Sequence, residues 1–111
     1  MAQNQNLGEF EQIVLLAILR LDSEAYGVAI REEIIRRTGR STAPGALYTT
    51  LDRLEQKGLV SSRLGEPTPE RGGRAKRYYS VSPAGVDAVE RAQRSYRNLL
   101  EGLHIFSRKH A

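Results

Sequence analysis

Two blocks of this chain leave few folds open: residues 44–60, PGALYTTLDRLEQKGLV, and residues 72–85, GGRAKRYYSVSPAG. In the first, Leu47, Leu51 and Leu54 recur at i, i+4 and i+7, the period of a helix with one apolar face, and Gly58 supplies its stop. At 100° per residue the opposite face carries Gly45, Thr49, Asp52 and Gln56, flanked by Ala46, Tyr48 and Arg53. The outward surface of its first two turns is therefore small or hydroxylated, so another surface can come close to the backbone there. In the second block, Arg74, Lys76 and Arg77, with Arg71 just before them, surround a glycine-rich stretch that runs into an alternating β segment. A lean helix followed by a cationic hairpin is a specific combination.

The remaining segments fit around that pair. Residues 1–6 are polar and are expected to be a flexible N-terminus. From Leu7 to Leu21 the apolar positions Phe10, Ile13, Val14, Ala17, Ile18 and Leu21 follow a helical period, widened by Leu15, Leu16 and Leu19. Asp22-Ser23 breaks this helix and is placed to cap a second, from about Ala25 to Thr38, which Gly39 ends. Ser41-Thr42 reads as the next N-cap, with Pro44 in the first turn of the third helix. Leu59–Leu64 and Arg77–Val81 are expected strands, joined by a loop with two prolines and three glycines. Ser82-Pro83 opens a last helix expected to reach Ser107 or beyond. The order is ααα-ββ-α: mainly α with a small β-hairpin, a winged helix-turn-helix followed by a C-terminal dimerisation helix.

That last helix carries the second constraint. Val89, Tyr96 and Leu103 are spaced by seven, as are Ala92, Leu99 and Phe106, which together draw a coiled-coil stripe. A helix of about 25 residues would be about 37 Å long, longer than the body of a three-helix domain. Most of its stripe would have nothing intramolecular to cover it, so a homodimer through the first and last helices is expected.

Charge and composition narrow the function. The net charge is +4. The excess gathers in residues 59–82, where Arg63, Arg71, Arg74, Lys76 and Arg77 face only Glu66 and Glu70, and in the last helix. A local basic patch is the footprint of a polyanion binder. Arg36, Arg37 and Arg40 close the second helix, where they can stabilise its negative end or touch phosphate; Arg36 fits the first role. Without cysteine there are no disulfides or thiolate metal sites, and no apolar run reaches the ~20 residues of a membrane span. A cytoplasmic protein with no membrane partner is expected. The two histidines, His104 and His110, belong to no ligand spacing, no serine has a histidine and acid to activate it, and the phosphate-loop order is missing. No catalytic residue, metal ligand or cofactor is therefore assigned.

At these residues the chain resembles the PadR family of bacterial transcriptional regulators. The match runs through Gly45, Leu47, Tyr48, Leu51, Arg53, Leu54, Glu55, Gly58, Leu59, Gly73, Arg74, Tyr78, Tyr79 and Gly85, with Tyr26-Gly27 upstream, and covers roughly residues 7 to 105. The short segment after Gly85 resembles the compact subfamily with one dimerising helix. The resemblance implies a DNA-binding domain over residues 7–82 and dimerisation through residues 83–111. Gly45, Tyr48, Thr49 and Arg53 would enter the major groove of double-stranded DNA, Ser41 and Thr42 would bind phosphate through hydroxyls and helix N-terminal amides, and Arg71, Arg74, Lys76 and Arg77 would hold the flanking backbone or minor groove. Phe10, Val14, Val89, Ala92, Tyr96, Leu99, Leu103 and Phe106 would form the dimer interface. Tyr96, Phe10 and Phe106 could also line a cavity for a flat aromatic effector there, though they serve equally as core. A winged helix used only for protein interaction is the rival; it is discriminated by whether the lean helix face and the wing cations share one open surface.

Overall fold

A computed structural model describes residues 6–66 and 75–105 of the chain. Helix α1 (Glu9–Leu21) starts where the backbone N–H of Gly8 donates to Glu11 Oε1 at 2.9 Å, and a short 3₁₀ turn (Asp22–Glu24) follows it. Helices α2 (Gly27–Thr38) and α3 (Pro44–Gln56) lead to an antiparallel hairpin of β1 (Val60–Leu64) and β2 (Arg77–Val81), and α4 (Pro83–Leu100) ends the order. The expected ααα-ββ-α sequence of elements is present.

The core lies where α1, α2 and α3 meet. Val14, Leu15, Ile18, Ile30, Ile34, Leu47, Leu51 and Leu54 are almost completely removed from solvent. Each such leucine or isoleucine is worth about 1.5–3 kcal/mol of burial, so the apolar period of α3 by itself sets which of its faces turns inward. The hairpin closes one side. Its register pairs Val60 with Val81 and Ser62 with Tyr79, which buries Tyr79 and turns Tyr78 to the other face. The backbone N–H of Tyr79 also donates to the carbonyl of Ala25 at 2.8 Å, and Tyr26 bridges to Tyr78. The segment entering α2 therefore acts as a one-residue third strand that fastens the wing to the helical body.

The start of α4 is fixed by a compact junction. Ser82 Oγ accepts from Gly85 N–H at 3.0 Å and donates to the carbonyl of Gly58 at 2.7 Å, while its own N–H donates to Leu59 at 2.9 Å. Gly85 sits hard against the Leu59 carbonyl: a Cβ there would overlap that oxygen and lie 2.6 Å from Val81 Cγ1. The helix can approach the α3–β1 turn this closely only because residue 85 has no side chain. Ala88 and Val89 then join the same core as α1 to α3.

Three local expectations are corrected. Helix α2 begins at Gly27 with Tyr26 as its N-cap, because Asp22, Ser23 and Glu24 are spent in the 3₁₀ turn, with Asp22 at φ 54°. Helix α3 is capped by Ala43 with no side-chain cap; the Thr42 hydroxyl instead donates back to the Arg40 carbonyl at 3.1 Å. Helix α4 stops at Leu100 after 18 residues. Glu101 turns extended and Gly102 takes φ 85°, a left-handed stop that releases the chain from the helix before Leu103.

Candidate nucleic-acid interface

The outward face of α3 is open and shallow. Gly45, Thr49, Asp52, Arg53 and Gln56 are exposed, and nothing lies within 4 Å of where a Cβ on Gly45 would be. Tyr48 is 45% exposed, yet it does not stand free. Its ring lies over Gly27 at the start of α2, where a Cβ would be 2.6 Å from Tyr48 Cζ. The helical spacing placed Tyr48 on the outward flank; the tertiary fold adds that its phenol rests on a glycine from another helix. Thr50, which the spacing did not single out, is buried beneath this face.

The turn before α3 is held from within. Arg31 Nε donates to the Thr42 carbonyl at 2.5 Å, and Thr42 itself is 4% exposed. Its hydroxyl is committed inward, so a phosphate contact through that group is corrected to a structural role, whereas Ser41 is exposed.

The wing cations divide. Lys76 and Arg77, adjacent in sequence, point to opposite faces of the hairpin, as the alternation of a strand requires. Lys76 Nζ lies 4.1 Å from the centre of the Tyr26 ring, and Tyr26 meets Tyr78 edge to face at 5.6 Å and 70°. Arg63 of β1 covers the same Tyr78 ring at 4.9 Å. Arg77 instead donates to Ser62 Oγ at 3.1 Å, and Ser62 donates to Glu55 Oε2 of α3 at 2.9 Å. Arg77 thus flanks the rear of α3, next to Tyr79, whose hydroxyl is pushed above its ordinary pKa by burial against a smaller opposing pull from Arg77. Arg71 and Arg74 lie outside the described residues. Arg63, which the sequence counted only in the net charge of the basic patch, and Tyr26, which it gave no DNA contact, both belong to this surface. The Tyr-Gly pair at the start of α2 was the signal available for Tyr26.

Away from this surface, Glu33 gathers three arginines. Its buried carboxylate pairs with Arg20 at 3.2 Å, Arg37 at 2.7 Å and Arg36. The Arg37 hydrogen bond, ahead of Arg36 and Arg20, holds its pKa below the ordinary glutamate value despite burial. Arg36 is thereby committed to an ion pair rather than to the helix end alone. Arg40 bridges to Glu9 at 3.4 Å and lies 5.4 Å above the Phe10 ring.

The apolar stripe is split in the same way. Val14 (0% exposed) and Val89 (4%) are filled inside the chain's own core, because the first turns of α4 pack back on α1. Neither is available to a second copy, which corrects both assignments. Ala92 is half-buried, while Tyr96, Leu99, Leu100 and Leu103 are open, Leu99 at 77%. Phe106 lies outside the described residues. Among the described residues no cluster of histidine, cysteine and carboxylates could hold a metal ion, and no helix is long and apolar enough to cross a membrane.

Comparison with known proteins agrees with this geometry. The model of the transcriptional regulator PadR-like family matches residues 15–91. A transcriptional regulator of Mycobacterium tuberculosis is 37% identical over 78 residues, covering 70% of this chain and 68% of that protein. A transcriptional regulator from Clostridium thermocellum superposes with a TM-score of 0.66 at 25% identity, over 80% of this chain and 81% of its own. A PadR family regulator from Clostridium difficile shares the fold with a TM-score of 0.67 at 24% identity, over 87% and 97%. From its winged helix, the open face of α3 and the match across most of its length, the chain belongs to the PadR-like family of DNA-binding transcriptional regulators, not enzymes.

Proposed function

We propose that the protein is a homodimeric repressor that works in the cytoplasm, binding a near-palindromic operator and occluding a promoter. The N-terminal half of α3, through Gly45, Tyr48, Thr49 and Arg53, reads bases in the major groove, and Ser41 holds a phosphate at its entrance. Lys76, with Arg71 and Arg74 of the wing loop, holds the flanking backbone, and Arg77 supplies charge at the rear of α3. Residues 7–82 read DNA and residues 83–111 dimerise, with Phe10, Ala92, Tyr96, Leu99, Leu103 and Phe106 meeting a second copy.

The observation that carries this reading is the coincidence of a lean, exposed α3 face with the cationic wing base beside α2. A pure protein-interaction module has no need of an open Gly45, Thr49 and Arg53 on the helix whose Tyr48 rests on Gly27, one residue from the Tyr26 ring that holds Lys76. The net charge of +4 agrees in sign with a polyanionic partner. The exposed apolar residues of α4 support the dimer, since Tyr96 at 50% and Leu99 at 77% are left open by the described residues.

Selection of bound fragments from random DNA tests the proposal. Two reading units on a two-fold axis should enrich an inverted repeat with half-sites about 34–36 Å apart. No enrichment, with no retention of DNA at low salt, would overturn DNA reading; enrichment of a single unsymmetrical site would overturn the dimer.

A further inference from the structure

The aromatic pair at the base of the wing has a role that neither the reading helix nor the wing loop accounts for. Tyr26 is the N-cap of α2 and precedes Gly27, on which the Tyr48 ring of α3 rests. The same Tyr26 bridges to Tyr78 of β2 through its backbone and meets it edge to face through its ring. Its ring also holds Lys76 Nζ at 4.1 Å. Two consecutive residues thus touch the base-reading helix on one side and the wing on the other.

We propose that Tyr26 is a positioning residue that sets the wing in register with α3, its ring fixing Lys76 while the Tyr26-Gly27 backbone fixes Tyr48. An ammonium over an aromatic face is attracted by the ring's negative quadrupole, and the attraction grows as water is excluded. Lysine has a flexible four-carbon stem, so an unheld Lys76 would sample many positions and would reach phosphate in any register. Held on Tyr26, it presents its charge at one distance from the Tyr48 phenol. A phosphate contact and a base contact can then be made together only when the duplex sits in the matching register. Arg63 over the far ring, Tyr78, stiffens the same stack from β1. The inference rests on the proposed DNA reading for its consequence, but not for the geometry.

The test has one arm without DNA. In NMR spectra of the intact protein, the ring current of Tyr26 should shift the Lys76 ε-methylene protons upfield of those of Lys57. Tyr26→Phe should keep that shift and Tyr26→Leu should abolish it; a Lys76 shift equal to that of Lys57 in the wild type overturns the stack. The second arm measures binding to the selected operator and to random duplex, well below the melting temperature of each variant. Tyr26→Leu should lower the operator-to-random affinity ratio about 5-fold to 150-fold, the range of one good base contact, with Tyr26→Phe restoring it. Lys76→Gln, which leaves the Tyr26 ring in place, should lower the ratio in the wild-type background and add little in Tyr26→Leu. If the wild type binds operator and both Tyr26→Leu and Lys76→Gln keep its ratio, the positioning role is wrong while DNA reading stands. If the wild type binds no DNA, the reading itself fails and the NMR arm still decides whether Tyr26 holds Lys76.

Discussion

The Tyr48 ring of α3 lies directly over Gly27, the first residue of α2, at a separation that leaves no room for a Cβ. An outward-flanking aromatic on one helix, proposed to face the bases, is therefore seated by a glycine on another. Gly27→Ala should push the ring off its seat with little loss of fold, since Tyr48 is half-exposed and can swing outward. Operator affinity should fall by about 1–3 kcal/mol, the worth of one base contact. Fluorescence anisotropy of Gly27→Ala, Tyr48→Ala and the pair checks this: the losses should be non-additive because both changes remove the same contact.

Gly45 and Gly85 separate binding from folding. Gly85→Ala forces a methyl onto the Leu59 carbonyl and Val81, and overpacking of this kind costs about 1–3 kcal/mol. Thermal melts followed by circular dichroism should show it as a drop of roughly 4–8 °C per kcal/mol. Gly45→Ala places its methyl in open space, so the melt should be unchanged while operator binding weakens. A Gly45→Ala protein that binds as tightly as wild type would place the closest approach of DNA elsewhere.

Two positions on α4 should behave oppositely. Leu99→Glu, best combined with Leu103→Glu, puts charge on exposed residues and should give a folded monomer in sedimentation velocity. Val89→Glu buries an unpaired carboxylate in the core and should unfold the chain. A folded Leu99→Glu, Leu103→Glu dimer would move the interface off this stripe.

Acid should destabilise the fold through two glutamates. Burial pushes the Glu11 carboxyl up, but the Lys57 ammonium at 2.9 Å and the Gly8 N–H outweigh it, and Glu33 is held down by its arginines. Both folded-state pKa values lie below the unfolded value. Their stabilisation is complete above the ordinary glutamate pKa and is lost as pH falls through the lowered values. Melting temperatures should be level from neutrality to about pH 5 and fall below about pH 4.3. Lys57→Met should make that fall shallower, because Glu11 loses the partner that lowered its pKa.

The wing should act on DNA through phosphate charge, and should affect the operator-to-random ratio only through the register that Tyr26 imposes on Lys76. Lys76→Ala removes up to two phosphate contacts per dimer, which should flatten the plot of log affinity against log salt by about 1.8. An unchanged slope would remove Lys76 from the phosphate surface.

The element order, the buried face of α3 and the open polar face opposite it were determined by the sequence alone. Angular spacing decides which residues share a side of a helix, and Leu47, Leu51 and Leu54 had one consistent solution. The left-handed stops at Gly39 and Gly58 were legible for the same local reason, and Gly102 carried an equally local signal that the longer heptad pattern masked. Only the tertiary structure decided which element covers each apolar face. Val14 and Val89 have the right period for a dimer seam, yet α4 folds back on α1 and fills them internally. Thr42 has the chemistry of a cap or a phosphate ligand, but Arg31, eleven residues away, takes its carbonyl and the side chain is buried. Lys76 and Arg77 read as one cationic pair until strand alternation and the Tyr26–Tyr78 bridge separated them. Period is a property of neighbouring residues, whereas the partner of a face or of a charge is chosen by contacts between segments far apart in the chain.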